Sequence, residues 1–164
     1  MKSRRLVIMR HANATRPGAF ADDHGRELTP TGTANARYIG QELARLGWQP
    51  DAVFHSDATR CVTTWEWVKE SLSTPQRVLA TRDLYESGSV ALPALASRCD
   101  DKVTTVLFLG HNPGLQHCVF RLCERSIGLT PATAVLLEVN ADSWDEAIAV
   151  DGHWRLVEVL RPEQ

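Results

Sequence analysis

Short runs with strand character alternate with longer segments of helical periodicity, and this alternation constrains the fold more than any other feature of the chain. The strand-like runs lie at residues 6–9, 52–54, 78–79 (a minor one), 104–109, 135–139 and 154–159. The run at residues 104–109 is β-branched and uncharged, which predicts a central strand. Strands that alternate with helices predict an α/β layered fold, and the strand pair that closes the chain predicts a mixed sheet.

Apolar residues three and four positions apart mark the helices between these strands. Thr29 and Pro30 predict the start of the first helix, as its N-cap and first helical residue, and Gly47 predicts its end. The apolar stripe of this helix consists of Ala36, Ile39, Leu43 and Leu46. Further helices are predicted at about residues 58–72, at residues 90–96, and around Leu115, Val119 and Leu122.

Composition excludes several classes of protein. The 164 residues fit a single domain, placed at residues 1–164. A net charge of −2, from 18 Lys and Arg against 20 Asp and Glu, is unlike that of a dedicated nucleic-acid binder. The apolar runs are too short to span a bilayer, and residues 6–9 are too short for the core of a signal peptide. We therefore expect a cytoplasmic protein without nucleic-acid or membrane partners.

The four cysteines show neither a metal-binding nor a disulfide pattern. They are scattered and include no Cys-x-x-Cys pair: Cys61, Cys99, Cys118 and Cys123. All but Cys99 fall within apolar helical patterns, so we expect them to pack as small hydrophobic residues.

Polar residues gather where three of the predicted strands end. They are Arg10 and His11 after the first strand, Ser56 and then Arg60 after the second, and Gly110-His111-Asn112-Pro113-Gly114 after the central strand. Because open α/β sheets bind ligands at the carboxyl ends of their strands, these loops are the expected location of a site.

Two arginines and two histidines without an acidic cluster predict an anion site, most plausibly a phosphoryl site. Guanidinium groups match the charge that spreads over three phosphoryl oxygens during transfer. A neutral imidazole can attack phosphorus and carry the group as phosphohistidine, and neighbouring arginines keep it unprotonated by lowering its pKa. Each signal alone has an ordinary interpretation, such as a solvated turn for Arg10-His11 or a surface helix residue for Arg60. Together they favour the anion site.

Four segments, in order, resemble motifs of the histidine phosphatase superfamily, also called the phosphoglycerate mutase-like family. They are Arg10-His11-Ala12-Asn13-Ala14, the stretch from Asp23 to Gly32 that matches Asp-x-x-Arg-x-Leu-Thr-x-x-Gly, the set Ser56, Arg60 and Thr64, and Gly110-His111-Asn112-Pro113. The first two are similar to those of the small bacterial phosphohistidine phosphatases of the SixA type. The resemblance implies a three-layer α/β/α fold around a mixed, mostly parallel sheet.

The resemblance also implies a division of roles among the polar residues. His11 would be the nucleophile that becomes phosphorylated. Arg10, Arg60 and His111 would bind the phosphoryl oxygens and stabilise the transition state. No metal or organic cofactor is implied.

Further substrate contacts are implied for Arg26, Ser56 and Asn112. For Arg26, a surface salt bridge to Asp22 or Asp23 is an equal alternative.

The general acid is the least defined of the implied roles. Leu84-Tyr85-Glu86 is similar to the family's Leu-x-Glu, whose Glu protonates the leaving oxygen of phosphomonoesters. Glu86 is therefore a candidate acid, with an ordinary solvated loop carboxylate as the alternative. A phosphoramidate nitrogen can be protonated beforehand and leaves without much help, whereas an alkoxide needs a proton.

Two residues depart from the family's Ser-Ser-Pro before the second arginine. Here the segment is His55-Ser56-Asp57. We expect His55 to be exposed or capping rather than at the pocket rim. Asp57 is expected to cap the helix that carries Arg60, or to lower the positive charge near the site.

These features predict a cofactor-independent phosphatase that acts through phospho-His11. The expected substrate is phosphohistidine in a protein, such as a histidine phosphotransfer domain. Two alternatives stay open: a small-molecule phosphomonoesterase with Glu86 as its acid, and a non-catalytic module that binds phosphorylated ligands. The elements above occupy nearly all 164 residues and leave little chain for a lid, which predicts an open site and favours a side chain presented by another protein.

Overall fold

The computed structural model describes residues 1–18 and 22–162. Within these residues the strands are β1 (Lys2–Arg10), β2 (Ala52–Ser56), β3 (Arg77–Thr81), β4 (Thr105–Gly110), β5 (Ala134–Ala141) and β6 (Arg155–Leu160). The helices are α1 (Pro30–Arg45), α2 (Thr59–Val68), α3 (Arg82–Glu86), α4 (Gly88–Ala96), α5 (Gly114–Cys123) and α6 (Trp144–Ala149), with a 3₁₀ turn at Lys69–Ser71.

The strands form one sheet in the order β3-β2-β4-β1-β5-β6. The first four strands of this order run parallel to one another, whereas β5 and β6 are antiparallel to their neighbours. Strand β4 is buried along its whole length between β2 and β1, which confirms the predicted central position of this run. The sheet is therefore mixed and mostly parallel.

Helices cover both faces of the sheet. Alternate residues of β1 point to opposite sides: Val7 joins one hydrophobic core and Leu6 the other. The first core receives α1 and α2, for example through Ile39, and the second receives α4, α5 and α6, for example through Leu115 and Trp144. The arrangement is the predicted three-layer α/β/α fold.

The first helix begins and ends at the predicted residues. Thr29 Oγ1 accepts a hydrogen bond from the backbone N–H of Gly32 at 3.0 Å, and Pro30 is the first helical residue. Gly47, with a φ of +76°, follows the helix end. A Cβ atom at Gly32 would overlap the backbone of Asn13, so the start of α1 lies directly against the loop that follows β1.

Two short helices and one helix end differ from the predictions. Helices α3 and α6 have only 5 and 6 residues, too few to show a periodic apolar stripe, although each has a side-chain cap, from Thr81 and Ser143. The helix predicted to extend to residue 72 ends at Val68 and continues only as a 3₁₀ turn.

The cysteines occupy the predicted packing positions. Cys61 and Cys118 are buried free thiols, and Cys123 packs at the edge of the core. In the part of the chain that the structure describes, no helix combines the length and apolar character needed to cross a membrane.

Candidate active site

A cavity of about 480 Å³ opens at the carboxyl ends of β1, β2 and β4. Because these parallel strands end at the same edge of the sheet, the loops after them converge there. The lining residues are Arg10, His11, Asp23, Arg26, Arg60, Tyr85, His111 and Asn112. Six of them are site residues proposed from the sequence; Asp23 and Tyr85 were not assigned a role, while Ser56 and Glu86 lie outside the cavity lining.

His11 lies at the cavity floor and is only 6% exposed. Its Nδ1 is 2.8 Å from the carbonyl oxygen of Ala12, and since a carbonyl only accepts, Nδ1 carries the proton. The other ring nitrogen, Nε2, is therefore unprotonated and accepts a hydrogen bond from Arg60 Nε at 3.3 Å. This tautomer leaves a nucleophilic lone pair on Nε2.

Burial lowers the pKa of His11 to about 4. The hydrogen bond to Ala12 acts in the opposite direction, but the positive charges of Arg60, Arg10 and Arg26 lower the pKa further. His11 is consequently neutral around pH 7, the state that a phosphorus-attacking imidazole needs.

Thr64 links helix α2 to the backbone around His11. Its Oγ1 accepts a hydrogen bond from the Ala12 N–H at 3.0 Å and donates one to the Arg60 carbonyl at 2.6 Å. The peptide whose carbonyl orients His11 is thus attached to the helix that carries Arg60. This contact explains why the third position of the Ser56, Arg60 and Thr64 pattern is a threonine.

Arg60 is buried at the centre of the site and uses most of its donors. Its Nε donates to His11, its Nη1 to the backbone carbonyl of Asp23 at 2.7 Å, and its Nη2 to Asp23 Oδ2 at 3.1 Å. Nη2 also lies 3.2 Å from His111 Nδ1. One guanidinium therefore contacts both histidines and the carboxylate.

Arg60 determines the tautomer of His111, and Ser56 faces the other ring nitrogen. His111 Nε2 lies 2.8 Å from Ser56 Oγ, while His111 Nδ1 accepts from Arg60, so the ring proton is on Nε2. Ser56 is fully buried behind His111, which corrects the expected direct substrate contact of this residue. Burial lowers the pKa of His111 to about 3, with further lowering by His11 and Arg60.

Arg10 and Asn112 are both oriented by the carbonyl oxygen of Leu129. Arg10 Nη1 donates to this oxygen at 3.0 Å and Asn112 Nδ2 at 2.8 Å. Arg10 Nε and Asn112 Oδ1 are buried without a hydrogen-bond partner in the described part of the chain. Buried unpaired donors and acceptors are uncommon, and at an anion cavity an unpaired guanidinium N–H suits an incoming oxygen.

Asp23 brings a carboxylate to the mouth of the cavity. Its Oδ1 accepts from Arg26 Nε at 3.1 Å, and its Oδ2 accepts from Arg60 Nη2 and from the Tyr85 hydroxyl at 2.7 Å. The Tyr85 hydrogen bond and the two arginines lower the pKa of Asp23 to about 2, so the group is ionised around neutral pH. Arg26 thus combines the two predicted alternatives, since it pairs with Asp23 and lines the cavity.

Glu86 does not line this cavity. Its carboxylate accepts from Arg82 Nε at 3.2 Å, is 60% exposed, and lines two neighbouring depressions. Consecutive residues of a helix point in directions about 100° apart, so the turn of α3 that brings Tyr85 to the cavity directs Glu86 to a neighbouring depression, which shares Tyr85, His111 and Asn112 with the cavity. This geometry favours the alternative in which Glu86 is an ordinary solvated carboxylate.

The expected exposed or capping position of His55 and the expected helix cap at Asp57 were wrong. His55 is 5% exposed and bonds the Ser56 carbonyl through Nδ1 at 2.8 Å, so it is neither exposed nor capping. Ala58 is the N-cap of α2 and no side chain caps that helix. Asp57 instead pairs with His24 Nε2 at 2.8 Å and so attaches the loop that carries Asp23 to the end of β2.

The surroundings of the cavity show no metal centre in the described ranges. There, no three or more His, Cys, Asp or Glu side chains are grouped so that they could hold a metal ion.

Comparison with known proteins places the chain in a family. The family model "Histidine phosphatase superfamily (branch 1)" matches residues 6–89. An uncharacterised chloroplastic protein of Arabidopsis thaliana is 29% identical over 98% of this chain and 79% of its own length. An uncharacterised protein of Mycobacterium tuberculosis is 32% identical over 92% of each chain.

Solved structures give the same result. A protein of Nakamurella multipartitia assigned as a phosphohistidine phosphatase SixA superposes with a TM-score of 0.85 and 25% identity, over 99% of this chain and 98% of that one. The protein histidine phosphatase SixA complexed with tungstate superposes with a TM-score of 0.78 and 24% identity, over 96% and 97% of the two chains. The chain therefore belongs to the histidine phosphatase superfamily, branch 1, and is a phosphatase of that family.

Proposed function

We propose that this chain is a phosphohistidine phosphatase that uses His11 as its nucleophile, without a cofactor. The observation that carries the proposal is the tautomer of His11, whose Nε2 lone pair is in contact with Arg60 at the floor of a cavity lined by three arginines. The similarity to a structure assigned as a phosphohistidine phosphatase SixA supports the substrate class.

In the proposed first step, His11 Nε2 attacks phosphorus and the bond between phosphorus and the leaving group breaks. Arg10 and Arg60 bind the phosphoryl oxygens, on which negative charge is spread. Binding requires Arg60 Nε to exchange His11 Nε2 for a phosphoryl oxygen. The Ala12 carbonyl keeps the proton on Nδ1 throughout, so the phosphorylated ring carries a positive charge beside its phosphoryl group.

In the second step, water attacks phospho-His11 and phosphate leaves with both water protons. His11 returns to the neutral tautomer with its proton on Nδ1. His111 is a second binding group, since Ser56 keeps its Nε2 occupied and Nδ1 faces Arg60 and the cavity. A bound phosphoryl dianion would favour protonation of that Nδ1, which then donates to an oxygen.

The state of the carboxylates favours a phosphoramidate over a phosphomonoester. Asp23 lines the cavity but is ionised, with its pKa lowered to about 2 by Tyr85 and two arginines, and Glu86 pairs with Arg82 outside the cavity lining. An alkoxide leaving group needs a proton donor, whereas an imidazole that is already protonated does not. Phosphohistidine meets this condition and phosphoserine does not.

The proposed partner is a protein that presents phosphohistidine on its surface, such as a histidine phosphotransfer domain. At the cavity mouth the Asp23 side chain is 49% exposed and the Arg26 side chain 20% exposed. Among the residues that the structure describes, the mouth is therefore open to a side chain carried by another protein.

Dephosphorylation of a phosphorylated histidine phosphotransfer domain tests the proposal. We expect hydrolysis by the wild type, a loss of about a thousandfold or more in His11→Asn, and little change in His117→Asn, a matched control because His117 lines a neighbouring depression. A phosphoserine peptide serves as the ester comparison and should be hydrolysed far more slowly. Equal rates on both substrates, or full activity of His11→Asn, would contradict the proposal.

A further inference from the structure

The leaving group must depart past the mouth of the cavity. In-line transfer places it opposite the attacking atom, and His11 lies at the floor with 6% exposure. Asp23 is at the mouth with its side chain 49% exposed, and Arg60 spans the distance between them because it bonds both His11 Nε2 and Asp23 Oδ2. A carboxylate therefore lies at the mouth, on the side opposite His11.

This carboxylate is held in position from three sides. Arg26 bonds Oδ1, and Arg60 and Tyr85 bond Oδ2, the latter at 2.7 Å. The Tyr85 ring is itself placed between His24 and His111, with centroid distances of 4.9 and 5.4 Å. Asp23 is thus an oriented acceptor and not a mobile surface side chain.

We propose that Asp23 is a specificity-determining residue, whose carboxylate accepts a hydrogen bond from the protonated imidazole of the substrate and thereby selects phosphoramidates over phosphate esters. This inference rests on the proposed function. A carboxylate stabilises the protonated, reactive form of the substrate ring and repels the developing negative charge of an alkoxide or phenolate. Since Asp23 is ionised, it cannot supply the proton that an ester oxygen needs.

The transfer step balances without an external acid. The substrate imidazole enters with phosphorus on one nitrogen and a proton on the other, and that N–H donates to Asp23. The bond from His11 Nε2 to phosphorus forms, the substrate P–N bond breaks, and its electron pair stays on the leaving nitrogen. The substrate ring departs neutral, still carrying its N–H. Asp23 accepts a hydrogen bond from the N–H of that ring, as the Ala12 carbonyl accepts one from the Nδ1–H of His11.

Asp23 also competes with ester substrates for cations. It occupies Arg60 Nη2 and Arg26 Nε, two of the donors that would otherwise bind phosphoryl oxygens. A phosphoramidate substrate brings a cationic ring whose N–H can bond the Asp23 carboxylate, whereas an ester substrate brings no such donor. The competition therefore acts in the same direction as the leaving-group effect.

Asp23→Asn tests the inference because it removes the charge and retains the shape. The probes are phosphoimidazole, whose leaving group is imidazole, and 4-nitrophenyl phosphate, whose phenolate leaves without a proton. We expect the ratio of kcat/KM for phosphoimidazole to that for 4-nitrophenyl phosphate to fall by about tenfold or more, the effect of one charge-assisted hydrogen bond. Asp22→Asn is the control, because Asp22 is the adjacent acid and, among the described residues, its carboxylate accepts from the Gly25 N–H and lies outside the cavity lining. Its ratio should equal that of the wild type.

The pH profile on phosphoimidazole separates this role from a structural one. The groups that face Asp23 are Arg26, Arg60, Tyr85 and, at longer range, His111. The carboxylate favours the protonated substrate ring, so activity should persist to a higher pH in the wild type than in Asp23→Asn. Tyr85→Phe keeps the negative charge of Asp23 and should therefore retain most of the preference for phosphoimidazole. This variant keeps the test valid where Asp23→Asn is less stable than the wild type.

The outcomes distinguish the inference from the proposed function. An unchanged substrate ratio and an unchanged alkaline limb in Asp23→Asn, with phosphoimidazole still hydrolysed through His11, would overturn the role of Asp23 alone. A wild-type protein that hydrolyses 4-nitrophenyl phosphate but not phosphoimidazole would overturn the proposed function together with the inference.

Discussion

At the scale of single residues, the chemistry depends on which nitrogen of each histidine carries the proton. The Ala12 carbonyl holds the proton of His11 on Nδ1, and the Arg60 donor at Nδ1 of His111 places the proton of that ring on Nε2, facing Ser56. Both rings consequently direct an unprotonated nitrogen at Arg60. Ala12 and Ser56 contact the ring nitrogens that carry the protons, so the nitrogens on the Arg60 side are available for a phosphoryl group.

The pKa of His11 predicts the acid limb of the activity. Because burial and neighbouring arginines lower this pKa to about 4 from a usual value of 6.5, His11 stays unprotonated down to that pH. We expect kcat/KM for 4-nitrophenyl phosphate, corrected for ionisation of the substrate, to fall only below about pH 4. Stopped assays between pH 3 and 8 measure this. An acid limb centred near 6.5 would show that the ring is solvated and would contradict this environment.

Glu86→Gln tests the role of the exposed carboxylate. Since Glu86 pairs with Arg82 and lies outside the His11 cavity, we expect kcat/KM for phosphoimidazole and for an alkyl phosphate each to stay within about twofold of the wild type. Glu70→Gln is a matched control, as Glu70 is an exposed acid paired with Arg37. If ester cleavage alone were lost in Glu86→Gln, Glu86 would be the general acid after all.

At the scale of elements, helix α2 and the loop after β1 form one unit around His11. Thr64 of α2 bonds the Ala12 N–H, and Thr59 N–H donates to the His24 carbonyl at 3.0 Å. The Asp57 and His24 pair adds a third attachment. The position of the nucleophile therefore depends on α2 as much as on β1.

Thr64→Val tests this attachment. The substitution keeps the side-chain shape but leaves the Ala12 N–H buried without its acceptor, which should lower the free energy of unfolding by about 1–3 kcal/mol and reduce kcat. Urea unfolding and steady-state kinetics measure the two effects. Thr63→Val, one residue earlier on the same helix and less buried, should change neither. Equal behaviour of the two variants would mean that the Thr64 hydroxyl does not position His11.

The features predicted from the sequence are those that follow from apolar periodicity and from the positions at which strands end. The mixed sheet and its central strand followed from buried runs and a closing pair, and His11, Arg60 and His111 were expected together because parallel strands end at one edge. The one-turn helix α3 was too short to predict, so the inward direction of Tyr85 was not foreseen. Asp23 was quoted within a motif, but its approach to Arg60 depends on loop contacts that no local pattern encodes.

At the scale of the whole molecule, the site lowers stability in acid. His11 and His111 are buried neutral, with pKa values lowered to about 4 and about 3 from 6.5. Between pH 6.5 and about 4 the unfolded chain binds protons that the folded chain does not, so stability falls as the pH falls through this window. Asp23, with its pKa lowered from 3.8 to about 2, extends the loss to still lower pH.

Urea unfolding at pH 7 and pH 4.5 measures this dependence. We expect the free energy of unfolding to fall between the two values by up to about 2 kcal/mol for each of the two histidines. His111→Gln should show a smaller fall. His153→Gln, which alters an exposed histidine, should show the same fall as the wild type. If the free energy of unfolding of the wild type does not change over this pH range, His11 and His111 are not buried in the neutral state.

The most direct test of the account is to trap the phosphorylated intermediate. The protein is mixed briefly with [³²P]phosphoimidazole and quenched in alkali, in which phosphohistidine is stable, and the labelled peptide is identified by mass spectrometry. We predict label on His11 in the wild type and in His117→Asn, and none in His11→Asn. Label on another residue, or turnover by His11→Asn at the wild-type rate, would contradict nucleophilic catalysis by His11.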